Sequence, residues 1–215
     1  MLRFERQYWK SGFCKLAGVD EAGRGPLAGP VIAAAVVLDR SFAETEEHGL
    51  LRGLTDSKKL SDSRRKYFLN LLKKSPYVDI GVGSADITEI DDVNILHATH
   101  VAMSRAVHDL SSLPDHVLVD GLSVKGLPCS STAIVGGDSK SLSIAAASVV
   151  AKVVRDERMR DLDRIYPEYG FAKHKGYGSK AHIQALFEYG PSPVHRRTFR
   201  PVRESADIRA RRGRE

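Results

Sequence analysis

The chain has 215 residues, of which 42% are hydrophobic and 28% are charged, and its formal net charge is +6. These values are typical of a soluble globular protein with one large domain. The longest apolar run, residues 31–38, is too short to cross a bilayer, and two cysteines are too few for a disulfide framework. The start of the chain is charged and predicts no signal peptide, so we expect a cytoplasmic protein with no membrane partner.

The positive charge is concentrated at the C-terminal end. Residues 196–215 contain eight arginines and three acidic residues, a net charge of +5, which leaves only +1 on the first 195 residues. Such a segment is either an arm that binds nucleic acid or a solvated, disordered end. The motif "HRRTF" at its start either binds nucleic acid or pins the C-terminal part to the core.

Five segments have the apolar and β-branched composition of strands, and a glycine-rich turn joins the first two. The predicted strands are 15–22, 30–38, 77–84, 116–120 and 132–135.

Helical patterns fill the intervals between these strands. Ser61 is the predicted N-cap of the first helix, and Asp91 or Asp92 that of the second. The predicted helices are 62–74, 93–110 and a long one that begins after Asp138 and ends before Pro167. In the long helix, the small residues over 143–148 favour tight packing over contact with a ligand. Alternating strands and helices predict one α/β domain with a helical C-terminal part.

Acidic residues stand where predicted strands end and where the long helix begins. Asp20 and Glu21 end the first strand, Asp120 ends the fourth, and Asp138 precedes the helix. Such positions converge in α/β folds, so these carboxylates could meet in space. Converging carboxylates repel one another unless cations lie among them, and hard oxygen ligands suit Mg²⁺ or Mn²⁺. Two such ions could activate a water for attack on a phosphodiester.

Each acid also has a purely structural interpretation. Asp120 stands before a glycine, where aspartate is a common turn former, and Asp138 is placed to cap a helix. Asp20 and Glu21 could be the solvated end of a strand. Spacing alone leaves both interpretations open.

Six segments resemble the motifs of one family in order and spacing. They are "AGVDEAGRGPLAGPVIAAAVVL", "DSKKLS", "LVDGL", "GGDSKSLSIAAASVVAKVVRD", "YPEYGFAKHKGYGS" and "HRRTFRPV". On these motifs the chain is similar to bacterial ribonuclease HII, the type 2 ribonuclease H, from residue 14 to about residue 203. The resemblance implies an α/β fold with a ribonuclease H-like mixed β-sheet flanked by helices and a helical C-terminal extension, in a single catalytic domain over 1–203. Residues 204–215 lie beyond it, and we expect a basic, disordered tail there.

The resemblance also implies that Asp20, Glu21, Asp120 and Asp138 are the catalytic acids and bind two ions, Mg²⁺ or Mn²⁺. Neighbouring side chains on a strand point to opposite faces, so a regular strand cannot direct both Asp20 and Glu21 at one metal pair. We therefore expect Asp20 to bridge the two ions. Glu21 is expected to take part through its backbone carbonyl, or from a strand that bends at 22–23.

Substrate contacts are implied in the same way. In the family, the element that matches Gly23, Arg24 and Gly25 approaches the nucleic-acid backbone and recognises the ribose 2′-hydroxyl together with a tyrosine, which corresponds to Tyr177. Glycine allows such a close approach, and the 2′-hydroxyl distinguishes RNA from DNA. The lysines expected to attract phosphates are Lys58, Lys152 and Lys175.

The sequence thus predicts an endonuclease that hydrolyses the RNA strand of RNA/DNA hybrids and nicks on the 5′ side of ribonucleotides embedded in duplex DNA. Two-metal-ion catalysis would leave 3′-hydroxyl and 5′-phosphate ends. The expected roles are ribonucleotide excision repair and RNA primer removal, and we expect a monomer. Two other classes stay open: another ribonuclease H-like, metal-dependent DNA nuclease, and a non-catalytic nucleic-acid-binding module. The module would explain the basic segment and the glycine loop but not four intact acids.

Overall fold

A five-stranded mixed β-sheet forms the centre of the fold in the computed structural model, which describes residues 1–212. The five predicted strands are confirmed with small shifts at their ends. They are β1 (Leu16–Ala22), β2 (Val31–Leu38), β3 (Val78–Ala85), β4 (His116–Asp120) and β5 (Ser130–Ile134). Across the sheet their order is β3-β2-β1-β4-β5.

Helices cover both faces of this sheet. They are α1 (Arg3–Lys10), α2 (Arg40–Glu46), α3 (Asp62–Lys74), α4 (Ile87–His108), α5 (Leu142–Ile165), α6 (Phe171–His174), α7 (Lys180–Tyr189) and α8 (Arg200–Arg212). The alternation of β2 divides the core in two: Ala34 and Val36 pack in the cluster that contains α3 and α5, while Ala33 and Ala35 pack against α4. The expected mixed sheet flanked by helices is therefore confirmed.

The strand directions decide where the acids emerge. β1 pairs antiparallel with β2 but parallel with β4, and Val19 lies opposite Val119 in the parallel pair. The next residues of the two strands, Asp20 and Asp120, therefore leave the sheet at the same edge. Parallel neighbours place their carboxyl ends together, which is the arrangement that the sequence predicted for these acids.

Helix α5 lies directly on β1 because both elements carry small residues. A Cβ atom added to Gly18 would lie 2.1 Å from the carbonyl carbon of Ser143 and 2.3 Å from the backbone nitrogen of Ile144. The tight packing predicted for 143–148 is thus observed. It holds the start of α5, and the turn before it, against the end of the strand that carries Asp20.

The N-cap predicted for the second helix is wrong. Helix α4 begins at Ile87 and is capped by Asp86. The Asp86 carboxylate accepts the Glu89 N–H at 2.9 Å, and the Glu89 carboxylate accepts the Asp86 N–H at 3.0 Å. Asn94 then interrupts the helix at φ 69°, and its side chain accepts the N–H of Leu96 at 2.9 Å, so it caps the second half again. Asp91 instead anchors the backbone near the C-terminal helix. By contrast, Ser61 caps α3 as predicted.

The C-terminal segment contacts the rest of the fold through helix α8, which runs to Arg212, while 213–215 lie outside the described residues. Val202 is buried with Leu27 and Leu186, and the Ser205 hydroxyl donates to the Leu186 carbonyl at 2.7 Å. A disordered tail from residue 204 stays a prediction. No helix within 1–212 has the length and hydrophobicity needed to cross a membrane.

Candidate metal centre and nucleic-acid cleft

Three carboxylates from different elements meet at the edge of the sheet. Asp20 is on β1, Asp120 ends β4, and Asp138 lies in the turn Gly137–Ser139 before α5. One carboxylate oxygen of each lies within 4.8 Å of the others. Asp20 is only 5% exposed, and the other two are half-buried. Residues that are 118 positions apart along the chain therefore share one small volume.

A backbone hydrogen bond fixes two of these acids relative to each other. The Asp120 carboxylate accepts the Gly137 N–H at 2.6 Å and the Asp138 N–H at 3.4 Å. A Cβ atom added to Gly137 would lie 2.6 Å from Ile144 Cδ1 and 3.3 Å from Ile134 Cβ, so this turn packs closely against both side chains. The end of β4 is in this way bonded to the turn that carries the third acid.

Crowding makes the charged form of this centre unfavourable. Burial is the main cause that raises the pKa of Asp20 well above its usual value, and Glu21 and Asp120 raise it further. Burial likewise raises the pKa of Asp138, with Asp120 adding to the shift. Hydrogen bonds from Ser148 and the Glu21 N–H to Asp20 stabilise its charged form and offset part of this increase in pKa. The site therefore favours an arrangement with added positive charge.

Glu21 is not part of the three-acid cluster. Its carboxylate lies 3.3 Å from an Arg24 guanidinium nitrogen, and its side chain is 15% exposed. The strand ends at Ala22, and Gly23 follows with φ 102°, so the chain bends where the sequence analysis placed a bend. The side chain of Glu21 lies beside the cluster without joining it. A metal-binding role for Glu21 stays a prediction.

Asp20 of this cluster and the neighbouring Glu21 line a cleft of about 250 Å³ that also contains the predicted substrate-binding loop. Gly25 lies beside Tyr177, and a Cβ atom added to it would be in ordinary van der Waals contact with the tyrosine ring, at 3.7 Å. Tyr177 itself is 45% exposed. The cleft is lined by Asp20, Glu21, Ala22, Gly23, Arg24, Gly25, Ser57, Lys58, Ser148, Lys152, Arg155 and Tyr177.

Of the three predicted lysines, the structure brings two into the cleft. Lys58 lies at its wall, and Lys152 lies there with its ammonium 2.7 Å from the Asp156 carboxylate. Lys175 is not among the lining residues. It follows α6 in a left-handed conformation, φ 52°, and its ammonium donates to the Ala172 carbonyl. Burial lowers the pKa of Lys175. A substrate-binding role for Lys175 stays a prediction.

Sequence reasoning missed several residues of the site. Ser148 was assigned to packing, yet it hydrogen-bonds Asp20 and contacts Ser57 across the cleft. Asp56 lies close enough to Asp138 to raise the pKa of that carboxyl, and it stands in the segment "TDSKKLS", which drew attention only for its lysines. Arg196 settles the alternative for "HRRTF" in favour of pinning, because its guanidinium is fully buried among backbone carbonyls. The sequence signal that could have identified Ser148 and Asp56 is that both are polar residues within the motifs quoted above.

Similarity to solved structures gives the class of protein. The ribonuclease H2 of Pyrococcus horikoshii OT3 superposes with a TM-score of 0.72 at 29% identity, covering 90% of this chain and 98% of that chain. Bst-RNase HIII in complex with Mn2+ shares the fold with a TM-score of 0.69 at 19% identity, covering 92% of this chain and 70% of that chain. The fold and the gathered carboxylates together define a metal-dependent nuclease of the ribonuclease H type.

Sequence comparison narrows the class to one family. The family model Ribonuclease HII matches residues 17–202. The ribonuclease HII of Desulfitobacterium hafniense (strain DSM 10664 / DCB-2) is 49% identical over 208 residues, which cover 97% of this chain and 77% of the relative. That of Chlamydia muridarum (strain MoPn / Nigg) is 52% identical over 203 residues, covering 94% and 89%. The chain belongs to the ribonuclease HII family and is an endoribonuclease, as the motifs predicted.

Replacing Asp120 with asparagine tests the repulsion within the cluster. Because the pKa of Asp20 is raised, its ionisation favours unfolding, and stability in the absence of metal falls as the pH rises through that raised pKa. Asp120→Asn keeps the acceptor oxygen for Gly137 and removes one charge. In EDTA at pH 7, we expect Tm to rise by about 2–4 °C in thermal unfolding, and the gain to shrink as the pH is lowered toward 4.

The matched control is Asp161→Asn, which removes an acid that is 46% exposed and paired with Arg164 on the surface of α5. This variant should unfold at the wild-type temperature, since exposed ion pairs contribute little. A Tm for Asp120→Asn equal to or below that of the wild type in EDTA would contradict the account of the cluster.

Proposed function

We propose that this enzyme hydrolyses the RNA strand of RNA/DNA hybrids and also nicks on the 5′ side of ribonucleotides embedded in duplex DNA. The observation that carries the proposal is the position of Asp20: it belongs to the three-acid cluster and lines the same cleft as Gly23, Arg24, Gly25 and Tyr177. A cleft that combines carboxylates, the backbone of a glycine-rich loop and an aromatic ring can both recognise a nucleotide and cut the strand beside it.

The donor set of the cluster fits divalent cations. Three carboxylates within 4.8 Å are hard oxygen ligands, and their mutual repulsion is relieved by positive charge, which favours Mg²⁺ or Mn²⁺ over soft-ligand metals. Two such ions, when bound, supply an activated water and stabilise the leaving oxygen, giving 3′-hydroxyl and 5′-phosphate ends. Asp20, Asp120 and Asp138 would hold them, with Asp20 as the shared ligand and Glu21 contributing from the edge.

Recognition of the ribose is assigned to the loop and the tyrosine. Glycine at positions 23 and 25 lets the main chain approach a sugar closely, and the 2′-hydroxyl can donate and accept hydrogen bonds at such a surface. The Tyr177 ring lies beside Gly25 and is exposed enough to pack on the next sugar of the strand. A deoxyribose fits against an aromatic face better than a ribose, whose hydroxyl would be left without a partner.

Basic side chains draw the polyanion to an acidic site. Lys58 and Lys152 line the same cleft as Arg24, so the phosphates of a bound strand would meet positive charge there. Lys152 is held in place by Asp156. The residues that attract substrate are therefore separate from those that hold cations.

The cellular role that suits this activity is the removal of ribonucleotides from DNA, by excision repair and by cleavage of RNA primers. We propose that the enzyme acts as a monomer in the cytoplasm, where its two free cysteines, Cys14 and Cys129, stay reduced. The structure of an Archaeoglobus fulgidus RNase HII in complex with PCNA offers a precedent for a replication partner, with a fold similar to this chain at a TM-score of 0.70.

Product mapping tests the proposed activity. A duplex with one internal ribonucleotide, incubated with the wild-type enzyme and Mg²⁺ or Mn²⁺, should be nicked once, on the 5′ side of that ribonucleotide. Asp120→Asn should lower the rate more than about a hundredfold, because it removes a direct ligand, while Asp161→Asn should cut at the wild-type rate. Cleavage of an all-DNA duplex would favour another class of nuclease, and binding without metal-dependent cleavage would favour a non-catalytic module.

Tyr177→Ala separates recognition of a single ribonucleotide from cleavage of continuous RNA. Loss of the ring removes packing on the following deoxyribose, which is present only when the RNA stretch ends. We expect kcat/KM for the single-ribonucleotide duplex to fall about tenfold more than kcat/KM for an RNA/DNA hybrid. Equal losses on the two substrates would argue against a junction-sensing role for Tyr177.

A further inference from the structure

Two arginines are buried beneath the glycine-rich loop, and neither forms an ion pair with a carboxylate within residues 1–212. Arg155 is 1% exposed and Arg196 is 0% exposed. Asp91 is close enough to affect the pKa of Arg196, but its carboxylate bonds to the backbone N–H groups of Arg197 and Thr198. A buried charge without a counter-charge is expensive, so its hydrogen bonds must be numerous.

Arg196 satisfies its donors entirely on the loop. Its Nε atom donates to the Gly29 carbonyl at 3.0 Å, and its Nη1 atom donates to the carbonyls of Arg24 at 2.9 Å and Pro26 at 2.8 Å. Its Nη2 atom donates to the carbonyls of Gly23 at 2.6 Å and Gly29 at 2.8 Å. One planar group thus ties together carbonyls from both ends of the loop that lines the cleft.

Arg155 supports the same loop from α5. Its guanidinium donates to the carbonyls of Pro30 at 3.1 Å and Ala28 at 3.2 Å. It also donates to the Lys175 carbonyl at 3.1 Å, two residues before Tyr177. Arg155 therefore connects the loop to the segment that carries the tyrosine, whereas Arg196 fixes the shape of the loop itself.

These bonds have a consequence on the side of the loop that faces the cleft. With the carbonyls of Gly23, Arg24 and Pro26 turned toward Arg196, the backbone N–H groups of Arg24 and Gly25 have no hydrogen-bond partner within 1–212. Unpaired N–H groups in succession bind anions and hydroxyl oxygens. The Arg196 guanidinium lies behind these N–H groups, bonded to the carbonyls of the same loop. Burial and Arg155 lower the pKa of Arg196 to about 9, so the guanidinium is protonated at neutral pH.

We propose that Arg196 is a positioning residue for substrate recognition: it holds the Gly23–Gly25 backbone in the one shape that accepts a ribonucleotide. The inference rests on the proposed function of the cleft and adds a determinant that lies outside it and never touches the substrate. A guanidinium is required because five bonds to four carbonyls need its fork of donors, whereas a lysine ammonium offers three donors from a single point. Small displacements of such a loop lower the rate strongly.

The test compares Arg196→Lys with Arg197→Lys, the same substitution at the adjacent, exposed arginine. Two quantities are measured: kcat/KM for a duplex with one ribonucleotide, and Ki for the all-DNA duplex of the same sequence as a competitive inhibitor. We expect Arg196→Lys to lower kcat/KM at least about tenfold and to change Ki less than about twofold, because the positive charge and the lysine-lined cleft remain. Arg197→Lys should match the wild type in both.

A role limited to folding predicts a different pattern. If Arg196→Lys is folded by circular dichroism at the assay temperature and keeps wild-type kcat/KM, the proposal is wrong. It is also wrong if KM and Ki rise by the same factor, since that would mean a general loss of nucleic-acid binding. A wild-type enzyme that fails to cut the single-ribonucleotide duplex would instead overturn the proposed function, and this inference with it.

A milder variant covers the case in which Arg196→Lys does not fold. The Phe199 ring lies over the Arg196 guanidinium, 5.2 Å from centroid to Cζ, and packs beside Leu27 and Leu186. Phe199→Leu keeps the arginine and an apolar side chain but removes this support. We expect kcat/KM for the single-ribonucleotide duplex to fall about threefold with Ki unchanged. Unchanged kcat/KM in this variant would contradict the proposal.

Discussion

Repulsion among Asp20, Asp120 and Asp138 is the constraint on which the rest of the site depends. Carboxylates within 4.8 Å of one another, one of them almost fully buried, oppose folding in the absence of cations. The fold nevertheless brings them together, because parallel pairing of β1 and β4 places two of them at one edge and the Asp120–Gly137 hydrogen bond adds the third. Packing of the sheet and helices compensates for the repulsion between the carboxylates. Bound cations would reduce that repulsion.

Charges of opposite sign are buried on the two sides of one short loop. Asp20 lies near the end of β1 with the other two acids beside it, and the carbonyls of the loop that follows β1 accept hydrogen bonds from Arg196 and Arg155. Neither group is neutralised by the other through a direct ion pair within the described chain. The acids can therefore bind cations, and the unpaired N–H groups of the loop, with the positive charge of Arg196 behind them, can attract a phosphodiester. A nucleic acid with bound divalent ions complements both.

Much of this arrangement can be predicted from local sequence patterns. Alternation and apolar runs identify all five strands, and acids at strand ends predict the meeting of Asp20 with Asp120 once those strands are parallel neighbours. Ser61 has the pattern of an N-cap and acts as one. Local patterns can still be overlooked, as the capping box of Asp86 and Glu89 at the start of α4 shows.

Other roles are set by distant parts of the chain. Asp91 or Asp92 was expected to start a helix, but the Asp91 carboxylate is used by backbone groups more than a hundred positions away. Arginine-rich composition likewise gave no sign that Val202 is buried with Leu27 and Leu186. Arg196 carries no mark in the sequence that distinguishes it from its exposed neighbour, because its partners are backbone carbonyls that only the fold assembles.

The central claim is that folding gathers three repelling carboxylates into a site for divalent cations, and anomalous diffraction from crystals of the wild-type protein soaked in Mn²⁺ tests it most directly. The account predicts manganese peaks bound by Asp20, Asp120 and Asp138, with Asp20 shared between two ions. Crystals that show these carboxylates together but no manganese at millimolar Mn²⁺, or that show them apart on separate surfaces, would contradict it.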